Sequence, residues 1–458
     1  MTMTATATET ATVTTTFEDR ERHARSPAHE LALDCLEAGI EAARPERAVE
    51  RHLSLSDGTL RVRDETYDLS DYDRVLVLGG GKAAGGLVRV LEELLGDRID
   101  GGAVVLDAPA DSDRVAVHIG GHPVPDEGSV AGARRVLKLA RGADERTLVL
   151  AAVTGGGSAL LAAPTEGVSL ADLRAVTESL LASGASIDEV NAVRKHCSAI
   201  KGGGLARAAG EATVVGLLVS DVVGDDPAVV ASGPTAPDPS TFADARAVLD
   251  RYGVDAPASI RERIDRGVAG EVEETPGPDD PLFDGVSNHV LIGGHTAIEA
   301  ARTVAAERGH ATRLLSARLR GEATAAGLTH VAVAEEALDT GEPVEVLGVV
   351  LSGGETTVTL GEDPGEGGPN QELALRAAIE LPEGAVLASV DTDGRDGATD
   401  AAGALVHAST VESGDADAAR GALAAHDAGP FLEERGALLR SGRTGTNVND
   451  LRVLVVFG

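Results

Sequence analysis

Five apolar runs in this chain each end in a short polar stretch rich in glycine or acid, and that repetition limits the fold. Arg74–Leu78 runs into Gly79-Gly80-Gly81-Lys82. Thr147–Val153 runs into Thr154-Gly155-Gly156-Gly157-Ser158, and Thr213–Val219 into Ser220-Asp221. Glu345–Leu351 is followed by Ser352-Gly353-Gly354-Glu355, and Ala385–Val390 by Asp391-Thr392-Asp393-Gly394-Arg395-Asp396. Continuous apolar runs closed by polar residues read as buried parallel strands of an α/β fold. Ligands of open α/β sheets sit in the crevice at the C-terminal ends of such strands.

Between the runs lie segments of helical periodicity: Ala28–Ala43, Leu87–Leu95, Glu127–Ala140, Ile187–Leu205 and Gly321–Leu338. Further strands are expected at Ala103–Leu106, Val115–Ile119, His289–Ile292, Thr312–Leu315 and Arg452–Phe457. At 458 residues the chain is too long for one ordinary core, so two domains are expected. The polar, Pro- and Gly-bearing stretch 251–281 puts their boundary near Phe283, giving domains over 28–283 and 284–458. Residues 1–27, opening in a Thr/Ala tract, are expected to be a disordered tail. That tract lacks the basic and apolar regions of a secretory signal.

The formal net charge is −34, and lysine is confined to Lys82, Lys138, Lys195 and Lys201. Such a surface repels nucleic acid and anionic membranes. It suits a halophile's cytoplasm, where molar salt shortens the Debye length to ~3 Å. Two cysteines are too few for a disulfide framework and fit a reduced cytoplasm. No apolar run approaches the ~20 residues a membrane helix needs.

Where lysine is so scarce, its positions carry information. Lys82 follows a strand and precedes a helix, in a glycine loop that reads as an anion cradle. It is no Walker A loop, because neither Ser nor Thr follows the lysine. Gly79, Gly81 and Ala84 do fit the G-x-G-x-x-A dinucleotide fingerprint, with Asp100 and Asp107 straddling the place of the expected acid. Gly156 and Ser158 make a second cradle of the same kind. On the helix read over Ile187–Leu205, Asn191, Arg194, Lys195 and Ser198 share a polar face, with Lys201 three residues beyond. That face suits an anionic ligand. Glu355, Asp391, Asp393 and Asp396 supply the hard oxygens that Mg²⁺ accepts while it holds substrate phosphates. Asp221, at a strand end, is a candidate general base or metal ligand. His122 is a candidate substrate contact in a turn-rich loop.

Taken in order, these segments resemble the glycerate 2-kinase family, whose C-terminal part is the MOFRL domain. The resemblance rests on Gly81-Lys82-Ala83-Ala84, Gly121-His122-Pro123-Val124-Pro125-Asp126, Gly155-Gly156-Gly157-Ser158-Ala159, Asn191-Ala192-Val193-Arg194-Lys195-His196 and Ser220-Asp221. It continues through Ser232-Gly233-Pro234-Thr235, Gly353-Gly354-Glu355-Thr356-Thr357, Asn370-Gln371-Glu372, Asp393-Gly394, Asp396-Gly397 and Thr444-Gly445-Thr446-Asn447-Val448-Asn449-Asp450. It implies two three-layer α/β/α domains, the first Rossmann-like, with the active site between them. It also implies ATP, Mg²⁺ and D-glycerate, with 2-phosphoglycerate as product. The family commonly has arginine before Asn370; here that residue is Pro369, which leaves Arg395 or Arg443 to steady phosphate charge.

On this reading Lys82, with Gly79, Gly81 and Gly156, holds phosphate oxygens. Ser158, Arg194, Lys201 and Asn449 hold the substrate, and Asp221 orients or deprotonates its 2-hydroxyl. Asp393 carries Mg²⁺ with Glu355 or Asp396, while Asn370 and Thr446 line the nucleotide side. The partners are then small molecules, and a homodimer is compatible with the sequence. The dinucleotide fingerprint keeps open an NAD(P)-dependent hydroxypyruvate reductase, and a third reading is a non-catalytic anion sensor.

Overall fold

The computed structural model describes residues 16–361 and 364–458. Residues 1–15 of the expected tail lie outside that range, but its remainder is docked. Phe17 is buried, its amide donates to Glu37 at 3.2 Å, and Arg20 pairs with the same carboxylate at 3.1 Å. The expected tail therefore reaches too far into the chain.

A small antiparallel meander comes first: β1 (Leu53–Ser56), β2 (Thr59–Val62) and β3 (Glu65–Asp68). Asp57 and Gly58, both at positive φ (50° and 83°), turn β1 into β2.

The first large sheet holds β4 (Arg74–Gly80), β5 (Gly101–Leu106), β6 (Ala116–Ile119), β7 (Thr147–Thr154), β8 (Thr213–Val219) and β9 (Val286–Ile292). Its order is β6-β5-β4-β7-β8-β9, and every pairing is parallel. Because β9 pairs with β8, the first sheet continues past the boundary expected near Phe283, which falls three residues before that strand.

The second large sheet holds β10 (Thr312–Leu319), β11 (Gly348–Gly354), β12 (Ala385–Asp391), β13 (Gly403–His407), β14 (Leu438–Leu439) and β15 (Asp450–Val456), in the order β10-β11-β15-β12-β13-β14. This sheet is mixed. Only β10 and β11 pair in parallel; β15 lies between β11 and β12 and runs antiparallel to both. The expectation that the runs ending at Leu351 and Val390 are parallel strands is thus corrected for the second, since β12 is antiparallel to both its neighbours. They do point the same way, so their C-terminal ends meet one edge, where the last strand begins. Asp450 stands opposite both Gly354 and Asp391.

The helix Pro27–Ala42 belongs with the second sheet although it precedes the first in sequence. Gly39 lets it lie close: a Cβ there would come within 2.4 Å of Leu451 Cδ2. Leu36, Val77, Leu150, Ile298, Leu351 and Val386 share one buried apolar cluster, so the two halves are joined by continuous core. Cys35 is buried in it and Cys197 in a separate cluster with Val193 and Phe242, their thiols pushed up to about 12 by burial, which leaves them as inert packing residues. No described helix is long and apolar enough to cross a membrane.

Candidate active site

The C-terminal edge of the first sheet carries Lys82 after β4, Gly155-Gly156 after β7 and Asp221 after β8. The corresponding edge of the second carries Glu355 after β11, Asp391 to Asp393 at the end of β12, and Asn447 to Asp450 leading into β15. The edges face each other. Lys82 Nζ lies 3.7 Å from the Asp393 carboxylate across the cleft.

The cleft has two lobes. A cavity of about 490 Å³ is lined by Lys82, His122, Asp107, Asp393, Arg395 and Arg443. Burial, then the charge of Lys82, lowers the pKa of His122 and favours its neutral form. Neither Arg395 nor Arg443 forms a salt bridge with a described residue. A second cavity of about 310 Å³ is lined by Ser158, Arg194, Asp221, Glu355, Asp391 and Asp450; Asn447 borders both.

The second lobe is crowded with carboxylates. Burial raises the pKa of Asp221, although the Lys82 charge pulls the other way. Glu355 is pushed up to about 6 by the enclosing protein and by the charges of Asp450 and Asp221. Asp391 is raised by burial and by Asp393 and Asp450. Room for Asp221 is made by Gly155, where a Cβ would come within 2.0 Å of the Asp221 carboxylate. Against these acids stands Arg194, on the helix Ile187–His196. It forms no salt bridge with a described residue, its only named partner being Thr177 Oγ1 at 3.5 Å, and burial lowers its pKa. Ser158 Oγ is 2.9 Å from Ser232 Oγ, which in turn donates to Asn191 Oδ1 at 3.0 Å. A guanidinium beside fixed hydroxyls is a carboxylate-binding arrangement.

Several expected site residues have other tasks. The glycine loop after β4 is not an open anion cradle: the Gly81 amide donates to Val105 O (3.0 Å), Lys82 to Gly155 O (2.8 Å), Ala83 to Thr154 Oγ1 (3.2 Å) and Ala84 to Gly81 O (3.3 Å). Gly79 and Gly81 are glycine because β7 is too close. A Cβ would lie 2.0 Å from Ala152 O at Gly79, and 2.1 Å from Thr154 Oγ1 at Gly81. The fingerprint G-x-G-x-x-A here records strand packing, and of that loop Lys82 and Ala83 border the cleft, Lys82 bringing the charge. Gly156, at φ 77°, does border it, beside Lys82 and His122.

The helix expected to run to Leu205 stops at His196, and Gly202 and Gly203, both at positive φ, redirect the chain. Lys195 is therefore buried against Asp238 at 3.2 Å, and Lys201 turns under the second glycine loop. Its Nζ donates to Ser158 O (2.7 Å) and Leu161 O (3.3 Å). Fully buried, it positions Ser158 and does not face the cleft.

On the second sheet, Asp396 is buried as the cap of the helix Pro369–Ala378, accepting from the Asn370 amide (3.0 Å) and the Gln371 amide (2.8 Å). Asn370 is buried too, its Nδ2 donating to Asp450 at 2.7 Å. Neither lines either lobe, so the expected metal trio Asp393, Glu355 and Asp396 does not converge. Thr446 borders the larger lobe, but its hydroxyl donates to Ala43 O. Asn449 borders the smaller one. The residues the sequence reading did not assign are Asp450, Asn447 and Ser232, although all three stand in the quoted motifs.

Among the described residues no group of three or more His, Cys, Asp or Glu forms a ready-made metal cage. The donor chemistry of the acidic lobe, where Asp221, Glu355, Asp391 and Asp450 crowd hard oxygens together, fits Mg²⁺ that arrives with phosphate and keeps only one or two protein ligands.

Residues 31–265 match a family described as a domain of unknown function, DUF4147, and residues 348–450 match the MOFRL family. A glycerate 2-kinase of Pyrococcus horikoshii is 40% identical over 435 residues, covering 93% of this chain and 97% of the relative. The crystal structure of a glycerate kinase from Thermotoga maritima superposes with a TM-score of 0.81 at 38% identity, covering 93% of this chain and 99% of that one. A protein of Agrobacterium vitis named as a putative hydroxypyruvate reductase is 41% identical over 398 residues, covering 84% of this chain and 87% of its own. With these matches running over nearly its whole length and the same two-domain α/β architecture, the chain belongs to the glycerate 2-kinase family that carries the MOFRL domain.

Proposed function

We propose that the protein phosphorylates the 2-hydroxyl of D-glycerate with ATP and Mg²⁺ to give 2-phosphoglycerate, in a cytoplasm of high salt. The observation that carries this reading is the pairing of a cationic lobe with an acidic one across a single cleft. Phosphoryl transfer asks a protein mainly for positioning and charge stabilisation.

The ATP phosphates fit the larger lobe, against Lys82, Arg395 and Arg443. The glycerate carboxylate fits Arg194 and Ser158 in the smaller one. That leaves the 2-hydroxyl near Asp221, whose raised pKa suits a group that takes a proton. The hydroxyl proton passes to Asp221 as its oxygen bonds to the γ-phosphorus. The bond from that phosphorus to the bridging oxygen breaks, and ADP leaves. Mg²⁺ bound with the nucleotide would neutralise charge on the phosphate oxygens, and Glu355 and Asp391 of the smaller lobe with Asp393 of the larger would supply its protein oxygens.

The test supplies the purified protein with ATP, Mg²⁺ and D-glycerate in high KCl and identifies the product by NMR. Phosphate on the 2-oxygen is expected. Phosphate on the 3-oxygen, or no ADP release, would overturn the reading. NAD(P)H oxidation with hydroxypyruvate, without Mg²⁺, would support the reductase named among the relatives.

A further inference from the structure

Arg452 is wholly buried in the middle of β15, and no role in the reading above uses it. It stands between Ser352 of β11 and Ser389 of β12. A guanidinium removed from water carries a desolvation penalty that is offset only by close opposite charge and good hydrogen bonds. Its one close counter-charge among the described residues is Asp450, two residues earlier on the same strand face, to which Nη2 donates. The same Nη2 donates to Thr356 Oγ1 at 2.8 Å. Arg452 Nε and Nη1 have no partner among the described residues. The bonding of this cation is therefore concentrated on Asp450 and the residue that shares it.

Asp450 is held from several sides. Thr356 N donates to Oδ2 at 3.1 Å and Asn370 Nδ2 to Oδ1 at 2.7 Å. Asn370 is fixed in turn, accepting from Ser389 Oγ and donating to Asp396. Ser352, opposite Arg452 on β11, is engaged elsewhere. His330 Nδ1 meets Ala326 O at 2.7 Å and must donate there, so Nε2 accepts from Ser352 Oγ at 2.8 Å. Asp450 thus accepts from Arg452, Thr356 and Asn370 at once, and it borders the lobe that also holds Asp221, Glu355 and Asp391. Arg452 is the positive charge on the core side of that lobe.

We infer that Arg452 is a positioning residue, a fixed cation beneath the cleft that locks Asp450 in one orientation so that the acidic lobe can take a divalent cation together with substrate phosphate. The inference rests on the kinase reading for the lobe's use. It acts through Asp450, and Arg452 itself touches no substrate.

The test uses the full chain in high KCl with Arg452→Met, Arg452→Lys, Asp450→Asn and the double variant Arg452→Met/Asp450→Asn. Binding of Mn²⁺ with a non-hydrolysable ATP analogue is followed by electron paramagnetic resonance, and kcat and KM by ADP release. Arg452→Met is expected to weaken Mn²⁺ binding and lower kcat by about 10- to 100-fold, the range seen when a partner behind a metal-binding group is lost. KM for D-glycerate should hardly move, and Arg452→Lys should fall between Arg452→Met and the parent. The double variant should be no worse than Asp450→Asn alone, the mark of one residue acting through the other. A lower melting temperature with unchanged Mn²⁺ binding and kcat would overturn the inference. So would additive losses, or failure of both Arg452 variants to fold, which would assign the arginine to the fold alone. A parent protein that binds Mn²⁺ but phosphorylates nothing would overturn the kinase reading instead, while the Mn²⁺ comparison would still decide on Arg452.

Discussion

Lys82 Nζ meets the Asp393 carboxylate at 3.7 Å, and the two residues come from different sheets. Both side chains are about a quarter exposed, at 28% and 26%, so the pair is accessible to an incoming anion. A phosphate that entered the larger lobe would compete with Asp393 for the ammonium. Lys82→Met is therefore expected to lower kcat/KM for ATP by ~100-fold, the scale of losing one preorganised charge partner. Asp393→Asn should lower kcat without weakening binding of the ATP analogue in the absence of Mg²⁺, because it removes the competitor. Titration calorimetry with the ATP analogue, beside steady-state rates, separates the two. Weaker Mg²⁺-free binding in Asp393→Asn would place the phosphates elsewhere.

Arg194 forms no salt bridge with a described residue and borders the acidic lobe beside Ser158. If it holds the glycerate carboxylate, Arg194→Met removes a contact made equally in the ground and transition states. Such a loss raises KM and leaves kcat nearly unchanged. A charged hydrogen bond is worth about 1.5–3 kcal/mol, so KM for D-glycerate should rise by roughly 10- to 150-fold. The KM for ATP should stay where it was. A fall in kcat at constant KM would instead assign Arg194 to the transferring phosphoryl group.

The ends of β4, β7, β8, β11 and β12 are legible in the sequence because an apolar run closed by glycine and acid is rarely anything but the end of a buried strand. Lys82, Asp221, Glu355 and Asp393 follow directly from that pattern. The position of β15 between β11 and β12 is not legible, since an apolar run specifies neither direction nor neighbours. Asp396 illustrates a different ambiguity. A carboxylate after a strand reads the same whether it faces a cleft or caps a helix from another segment, and only the amides of Asn370 and Gln371 decide. The glycines at 79 and 81 pose the same problem, because close approach of a neighbouring strand and close approach of a phosphate demand the same residue. The β1–β2 hairpin does leave a signal, the pair Asp57-Gly58 between short alternating runs, but one far weaker than the long apolar runs around it.

Lys201 links the fold to pH. Burial, with the neighbouring Arg194 charge, lowers its pKa from 10.5 to about 7. Below about 7 both folded and unfolded chains hold the proton. Between about 7 and 10.5 only the unfolded chain does, so this residue's contribution to stability rises with pH across that window. Lys201→Met lacks this dependence and also loses the donors to Ser158 O and Leu161 O. The difference in melting temperature between parent and variant should therefore shift in the parent's favour from pH 7 to pH 9.5. Calorimetry at fixed KCl measures that difference, and a gap independent of pH would mean the ammonium is not destabilised where it lies.

Gly155 tests whether the chemistry depends on where Asp221 sits. Its backbone is not in the left-handed region, so alanine meets no conformational barrier there. The obstacle is the Asp221 carboxylate, with atoms at 2.0 and 2.3 Å from the added Cβ. One of the two must move, and the aspartate is the side chain with rotamers to use. Gly155→Ala should then lower kcat sharply, by ~100-fold if Asp221 is the proton acceptor. KM for ATP should change less than kcat, because the atoms nearest the added Cβ all belong to Asp221 and none to Lys82, Arg395 or Arg443. Asp221→Asn should give a loss of similar size, and combining the two should add little, since both remove the same placed carboxylate. Full additivity would show that Gly155→Ala acts by distorting β7, and the role of Asp221 would then have to be argued on other grounds.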